Sequence, residues 1–209
     1  MIDVVLCDDH AVVRRGIRDT LLEATDIRVV AEADSYPALR EVLRQHPPQV
    51  LLLDLDLPGR SGLETLAVLQ EDDPPVKTVV VSMYPEDQYA IRCLRAGAYG
   101  YLNKGGDPAA LVDAVRTVAQ GRKYITPRVA ELLAQHLQAP ASGALHDSLS
   151  ARELQTLRLI ASGKKLSQIA EALMISPKTV SVYRARVLEK LALENNAELT
   201  VYAIRNGLV

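Results

Sequence analysis

Cysteine is scarce. The 209 residues hold two, Cys7 inside an apolar run and Cys93 in a helical pattern, with no CxxC spacing and no histidine cluster beside them. That gives no support to a Cys/His metal module, and both thiols are expected to be small buried or half-buried hydrophobes. Long hydrophobic runs are missing too. No stretch approaches the roughly 20 apolar residues needed to cross a bilayer. Met1-Ile2-Asp3 reaches Asp8-Asp9 without the charged leader and apolar segment of a signal peptide. A cytoplasmic protein with no membrane partner is expected. Nor is the composition biased: 48% hydrophobic and 24% charged residues exclude a disordered or fibrous chain. The net charge of −2 conceals a split. From residue 147 onward nine Lys/Arg face six Asp/Glu (+3), whereas residues 1–146 carry fifteen against twenty (−5). An acidic front and a basic tail point to a nucleic-acid partner for the tail alone.

What is present divides in two. A chain of this length suits two small domains, since single cores are usually built from roughly 100–150 residues. The first 121 residues alternate β-branched runs with helical patterns. Strands are expected at Ile2–Cys7, Arg28–Ala33, Val50–Asp54, Val76–Ser82 and Tyr99–Leu102, with helical spacings such as Val13/Ile17/Leu21 and Leu111/Val115/Val118 between and after them. Five strand-then-helix repeats predict a parallel sheet covered on both faces. A helix over Thr126–Gln138 has Pro127 at its first position. Ala139–Ser148, rich in small and turn-forming residues, reads as a linker. The expected organisation is an α/β domain over 1–121, a helix and linker over 122–148, and a second domain over 149–209.

The tail reads as four short helices. Ser150-Ala-Arg-Glu153 has capping-box spacing ahead of Leu154, Leu157 and Ile160, and Gly163 is a stop. A second helix covers about Leu166–Leu173. Ser176-Pro177 caps a third that runs to about Leu191, and a fourth starts near Asn195 or Asn196. That pattern fits a helix-turn-helix domain.

In parallel α/β sheets the functional crevice lies beyond the carboxyl ends of the strands. Polar residues stand at or after four of the five expected ends: Asp8 and Asp9, Asp54, Ser82, and Lys104. Three carboxylates brought together need a cation. Mg²⁺ prefers oxygen ligands and is held by one or two carboxylates plus phosphate oxygens. A lysine and a hydroxyl aimed at the same point stabilise a transferring phosphoryl group, so the implied chemistry is phosphoryl transfer onto a carboxylate.

The run Leu53-Asp54-Leu-Asp-Leu-Pro58-Gly-Arg-Ser-Gly62, with Cys7-Asp8-Asp9-His10 before it and Val81-Ser82 and Tyr101-Leu-Asn-Lys104 after it, resembles the receiver domain of bacterial two-component response regulators. The resemblance implies a flavodoxin-like five-stranded sheet of order 2-1-3-4-5, Asp54 as phospho-acceptor and Mg²⁺ as cofactor. It makes Asp9 the direct metal ligand, with Asp54, with Asp8 acting largely through water, and with the backbone carbonyl of Asp56 as a further ligand. It implies that Lys104 and Ser82 hold phosphoryl oxygens and that Tyr101 swings inward as Ser82 moves. One position departs from the pattern: Gly105-Gly106 follows Lys104 where many receivers have proline, so this turn must be built another way.

The tail segments Leu149-Ser-Ala-Arg-Glu153, Ile169-Ala170 and Ser176-Pro-Lys-Thr-Val180 resemble the LuxR-type output domain of the NarL/FixJ family, in a pattern similar to its GacA/UvrY branch. In a helix-turn-helix the second helix lies in the major groove. The resemblance implies Lys178, Thr179 and Arg184 or Arg186 at phosphates, and Ser181, Val182 and Ala185 at base edges. It also implies that the last helix, around Ala197–Asn206, carries the dimer contact. Lys164-Lys165-Leu166-Ser167 replaces the usual polar cap before the second helix. Implied partners are a sensor histidine kinase, a second copy of the chain and pseudo-palindromic double-stranded DNA. A different class is also legible: Asp54-Leu-Asp56 resembles the nucleophile motif of haloacid-dehalogenase-like phosphohydrolases. That motif normally follows the first strand, whereas this one follows the third.

Overall fold

The computed structural model describes residues 1–72, 76–138 and 145–209. They form two compact units, Met1–Leu137 and Gln138–Val209. The expected linker falls largely on residues 139–144, outside the described residues.

In the first unit the chain alternates β1 (Ile2–Cys7), α1 (Ala11–Leu22), β2 (Ile27–Ala33), α2 (Tyr36–Gln45), β3 (Val50–Leu53), α3 (Gly62–Leu69), β4 (Thr78–Ser82), α4 (Glu86–Arg95), β5 (Gly100–Asn103), α5 (Pro108–Ala119) and α6 (Pro127–Gln138). The five strands pair in parallel in the order β2-β1-β3-β4-β5. β3 and β4 are buried at every position, as strands covered on both faces must be. On one face Val4, Leu6, Leu52, Val79, Val81 and Leu102 pack with Leu111, Val115 and Val118 of α5 and Leu21 of α1. The alternate residues Val5, Leu51, Leu53 and Val80 are equally buried and belong to the opposite face by the two-residue period of a strand. Fully burying each such aliphatic side chain contributes roughly 1.5–3 kcal/mol before entropy is counted.

Strand ends moved slightly from expectation. β4 begins at Thr78, where its backbone pairing with Leu51 of β3 starts, and the Lys77 ammonium just before it donates to the Ala119 carbonyl at 3.0 Å. β5 begins at Gly100 and runs to Asn103, although the Tyr99 N–H already bonds the Thr78 carbonyl at 2.7 Å. β3 stops at Leu53, leaving Asp54 beyond its end. Helix α6 lies against the start of α4: Thr126 Oγ1 donates to Glu86 at 3.0 Å, Arg128 Nε donates to Asp87 at 2.9 Å, and Val129 is buried.

The second unit holds a 3₁₀ turn (Leu145–Ser148), α7 (Ala151–Ala161), α8 (Leu166–Ala172), α9 (Pro177–Leu191) and α10 (Asn196–Arg205). Its core is Leu154, Leu157, Ile160, Ile169, Val180, Val187, Leu191, Leu199 and Ala203. Both expected caps form, Ser150 to the Glu153 N–H at 3.3 Å and Ser176 to the Thr179 N–H at 3.1 Å. At α8 the missing polar cap is replaced from inside the helix, where Gln168 Oε1 accepts the Lys165 N–H at 2.9 Å. Among the described residues no helix is long and apolar enough to cross a membrane.

Candidate functional site

Topology alone puts the first set of residues together. β1 and β3 are neighbours with Cys7 opposite Leu53, so Asp8 and Asp54, the next residues on each strand, leave the sheet side by side. The Asp54 N–H donates to the Cys7 carbonyl at 2.8 Å. β4 and β5 pair Ser82 with Asn103, which brings Lys104 to the same edge, its N–H bonded to the Ser82 carbonyl at 2.8 Å. The loop after Asp54 is closed by α3, whose N-terminus Ser61 and Glu64 cap reciprocally at 3.2 and 3.0 Å. A Cβ at Gly62 would stand 2.0 Å from the Asp54 carbonyl oxygen, so only glycine permits this helix to start so near the acidic residue.

Asp8 and Asp54 are each 3% exposed. The Lys104 ammonium bridges them, 2.6 Å from Asp8 Oδ2 and 2.7 Å from Asp54 Oδ2. Asp9, half-buried, holds His10 Nδ1 at 2.6 Å. One ligand atom from each of Asp8, Asp9, His10 and Asp54 lies within 4.8 Å of the others. Burial raises the Asp54 carboxyl to about 6; Lys104 opposes this, and Asp8 and Asp56 add to it. Burial pulls the Lys104 ammonium down, yet Asp54 and Asp8 together carry it above its ordinary value. The pocket therefore contains more negative charge than its one lysine neutralises, a polarity that favours an incoming cation. Burial also pushes the Cys7 thiol well above its usual range, so it remains an inert thiol.

Ser82 is fully buried, its Oγ accepting the Tyr84 N–H at 3.3 Å. Tyr101 is buried, pointing inward, and its hydroxyl donates to the Tyr84 carbonyl at 2.8 Å. The Tyr84 backbone thus links the two hydroxyls, its N–H to Ser82 and its carbonyl to Tyr101. Its own hydroxyl donates to Asp56 Oδ1 at 3.2 Å, the carboxylate that the phosphohydrolase reading would need as acid and base. The turn after Lys104 is built by Asn103: its carbonyl accepts the Gly106 N–H at 3.0 Å, and its side chain accepts the Gly105 N–H at 2.8 Å. No proline is required for this closure. His10, Arg14, Tyr84 and Asn103 have no role in the sequence reading. His10 had a signal in its place beside Asp9. Arg14, whose Nη1 donates to the Asp8 carbonyl at 2.5 Å, is one helical turn beyond His10, and Tyr84 reaches Asp56 only through the tertiary fold.

On the second unit, α9 buries Val180, Val187, Leu188 and Leu191. Lys178, Ser181, Val182, Ala185 and Arg186 are exposed, and Thr179 and Arg184 half-buried. Several polar groups on this surface are already held. Ser181 Oγ donates to the Pro177 carbonyl at 3.0 Å, Thr179 Oγ1 is 2.8 Å from Ser176 Oγ, and Arg184 Nε donates to Asn196 Oδ1 at 2.6 Å. Lys178 and Arg186 remain exposed cations flanking the apolar Val182 and Ala185, an arrangement suited to phosphates on either side of a base-reading patch. Lys164 and Lys165, also exposed, stand at the start of α8, the first helix of the motif.

Comparison with known proteins bears on both units. The response regulator receiver domain matches residues 4–116, and the bacterial regulatory proteins of the luxR family match residues 147–203. The response regulator GacA of Pseudomonas aeruginosa is 39% identical over 210 residues, covering 100% of this chain and 98% of that protein. The response regulator UvrY of Escherichia coli K12 is 38% identical over 209 residues, covering 100% and 96%. Among solved structures, RcsB from Salmonella enterica serovar Typhimurium, bound to promoter rprA in the presence of phosphomimetic BeF₃⁻, is similar over 96% of this chain and 97% of that one, with 27% identity and a TM-score of 0.65. Two consecutive domain matches and relatives aligned along the whole chain place this protein among the response regulators of the NarL/FixJ family, a receiver domain followed by a LuxR-type helix-turn-helix that binds DNA.

Proposed function

We propose that a sensor histidine kinase transfers a phosphoryl group to Asp54, and that this switches the chain into a dimer that binds pseudo-palindromic promoter DNA. The observation that carries it is the Lys104 ammonium held between two buried carboxylates, 2.6 Å from Asp8 and 2.7 Å from Asp54. In the transfer the N–P bond of the donor histidine breaks and a bond forms from phosphorus to a carboxylate oxygen of Asp54. Lys104 is placed to meet the negative charge that arrives, and Ser82 to donate to one phosphoryl oxygen.

The donor set fits Mg²⁺. The buried Asp8 and Asp54 oxygens share a single ammonium, and three of the four candidate ligand side chains gathered there, Asp8, Asp9 and Asp54, are hard carboxylates. Asp8, Asp9, Asp54 and the Asp56 carbonyl would hold it, and when bound it would neutralise charge on the phosphoryl oxygens.

Tyr101, inward and bonded to the Tyr84 carbonyl, would report the state of Ser82 through that loop. On DNA, Lys178, Thr179, Arg184 and Arg186 would fix the backbone, and Ser181, Val182 and Ala185 would read base edges, with α10 carrying the dimer contact. Val201 and Ile204, 47% and 61% exposed on α10, supply apolar surface for it. RcsB on promoter DNA with a phosphate mimic is the parallel for this switch. The chain acts as a cytoplasmic regulator that accepts phosphate on itself, not as an enzyme with a separate substrate.

The test is DNA affinity under phosphorylating conditions. The wild type should bind a two-half-site duplex more tightly when phosphorylated, and Asp54→Asn should bind at the unphosphorylated level throughout. Equal gains in both proteins would contradict the switch.

A further inference from the structure

We propose that His10 is a metal ligand of the acidic pocket, adding a nitrogen donor that makes the pocket bind Mn²⁺ and later first-row divalent ions more tightly than Mg²⁺. The inference rests on the proposal that this pocket holds a metal.

His10 is the residue before α1, with an extended backbone (φ −90°, ψ 101°) and no side-chain capping bond to occupy its ring. Its N–H donates to Asp8 Oδ1 at 2.8 Å, which fixes the backbone over the pocket. The side chain is 62% exposed, so it fills no core. Its Nδ1 nonetheless turns toward the carboxylates, 2.6 Å from Asp9 Oδ1 and 3.6 Å from Asp8 Oδ1. Donor atoms of Asp8, Asp9, His10 and Asp54 all lie within 4.8 Å of one another, about twice a metal–ligand bond, so one ion is within reach of all four.

The pocket also calls for more positive charge than it has. Among the described residues, Oδ2 of Asp8 and of Asp54 are buried and lean on the same Lys104 ammonium, while Asp9 contributes a third carboxylate. An oxygen-only pocket of this kind suits Mg²⁺, which dehydrates reluctantly and prefers hard ligands. Imidazole changes the selection, because Mn²⁺, Co²⁺, Ni²⁺ and Zn²⁺ accept nitrogen and bind mixed N/O sites with affinities rising along that row to nickel. The bland alternative is that Nδ1–H donates to Asp9 and only positions it. The two differ in whether nitrogen touches the ion.

Pulsed electron paramagnetic resonance on the full chain loaded with Mn²⁺ reads that contact directly. The expected result is ¹⁴N modulation in the wild type, replaced by ¹⁵N modulation after ¹⁵N-histidine labelling, and absent in His10→Gln with Mn²⁺ still bound. Affinity for Mn²⁺ should fall about tenfold in His10→Gln, the loss typical of weakened metal ligation, and affinity for Mg²⁺ less than about twofold. Labelling needs no substitution, so a folding defect cannot imitate the outcome. Bound Mn²⁺ without nitrogen modulation would overturn His10 as a ligand and leave the acidic metal pocket standing. No bound Mn²⁺ at all would overturn both.

Discussion

Each unit buries a carboxylate against a lysine, and the two pairs behave in opposite ways. In the second unit Glu153 is 2% exposed, accepts the Ser150 N–H at 2.7 Å and pairs with Lys190 at 2.7 Å. Burial alone would raise its carboxyl, but Lys190 and the Ser150 bonds hold it below the usual value. In the first unit Asp54 is buried to the same degree, yet it shares its one lysine with Asp8, and its carboxyl is pushed up to about 6. The difference is satisfaction: Glu153 has a donor and a cation to itself, whereas Asp54 has half a cation and two acidic neighbours. The first arrangement stabilises a fold, and the second holds a charge imbalance that a metal ion and a phosphoryl group can use.

The comparison breaks most sharply at Lys104. Lys104→Ala removes the ammonium from between Asp8 and Asp54, and phosphoryl uptake from a small donor should slow by roughly 10²–10³, the usual loss when one stabilising group is removed. Rapid-quench labelling would measure it. Glu153→Ala removes a cap and a buried ion-pair partner together. The second unit should lose about 2–3 kcal/mol, seen as an earlier transition in urea while the first unit is unmoved.

Asp54→Asn should act in the reverse direction. Because the folded carboxyl is raised above its ordinary 3.8, its ionised form costs stability. That cost is fully present above about pH 6 and fades as pH falls toward 3.8. Without metal, the substitution should stabilise the first unit by about 2–3 kcal/mol at pH 8 and by little near pH 4. Glu153, with its lowered carboxyl, contributes stability above about 4.5 that is lost as pH falls through its folded value. Acid titration of the two transitions should therefore move them oppositely. The smallest effect is in the backbone: Ala192, at the end of α9, is left-handed with φ 53°, and Ala192→Gly should stabilise the second unit by about 1 kcal/mol, with Lys178 and Arg186 untouched.

Much of this was legible in the chain. Alternating β-branched and helical patterns located all five strands, and the rule that crevices lie at strand carboxyl ends gathered Asp8, Asp9, Asp54 and Lys104 before any fold was seen. Strand ends slipped by a residue or two because backbone pairing with the neighbouring strand sets them, as at Thr78 opposite Leu51. The Tyr84 bonds to Ser82, Tyr101 and Asp56 were not legible, because they depend on a loop folding back over the sheet edge. The Gly105-Gly106 turn was read only as a departure, although its closure is an Asx turn by Asn103, a residue type that bonds its own backbone two residues on. On α9, periodicity separated the buried stripe from the open face, but it could not show that Asn196 holds Arg184.

The central claim is that Asp54 takes up phosphate. Intact mass after incubation with acetyl phosphate and Mg²⁺, run beside Asp54→Asn, tests it most directly. The account predicts a gain of about 80 Da, one phosphoryl group, in the wild type and none in the variant. The same gain in both, or a modified site other than Asp54 in the wild type, would contradict it.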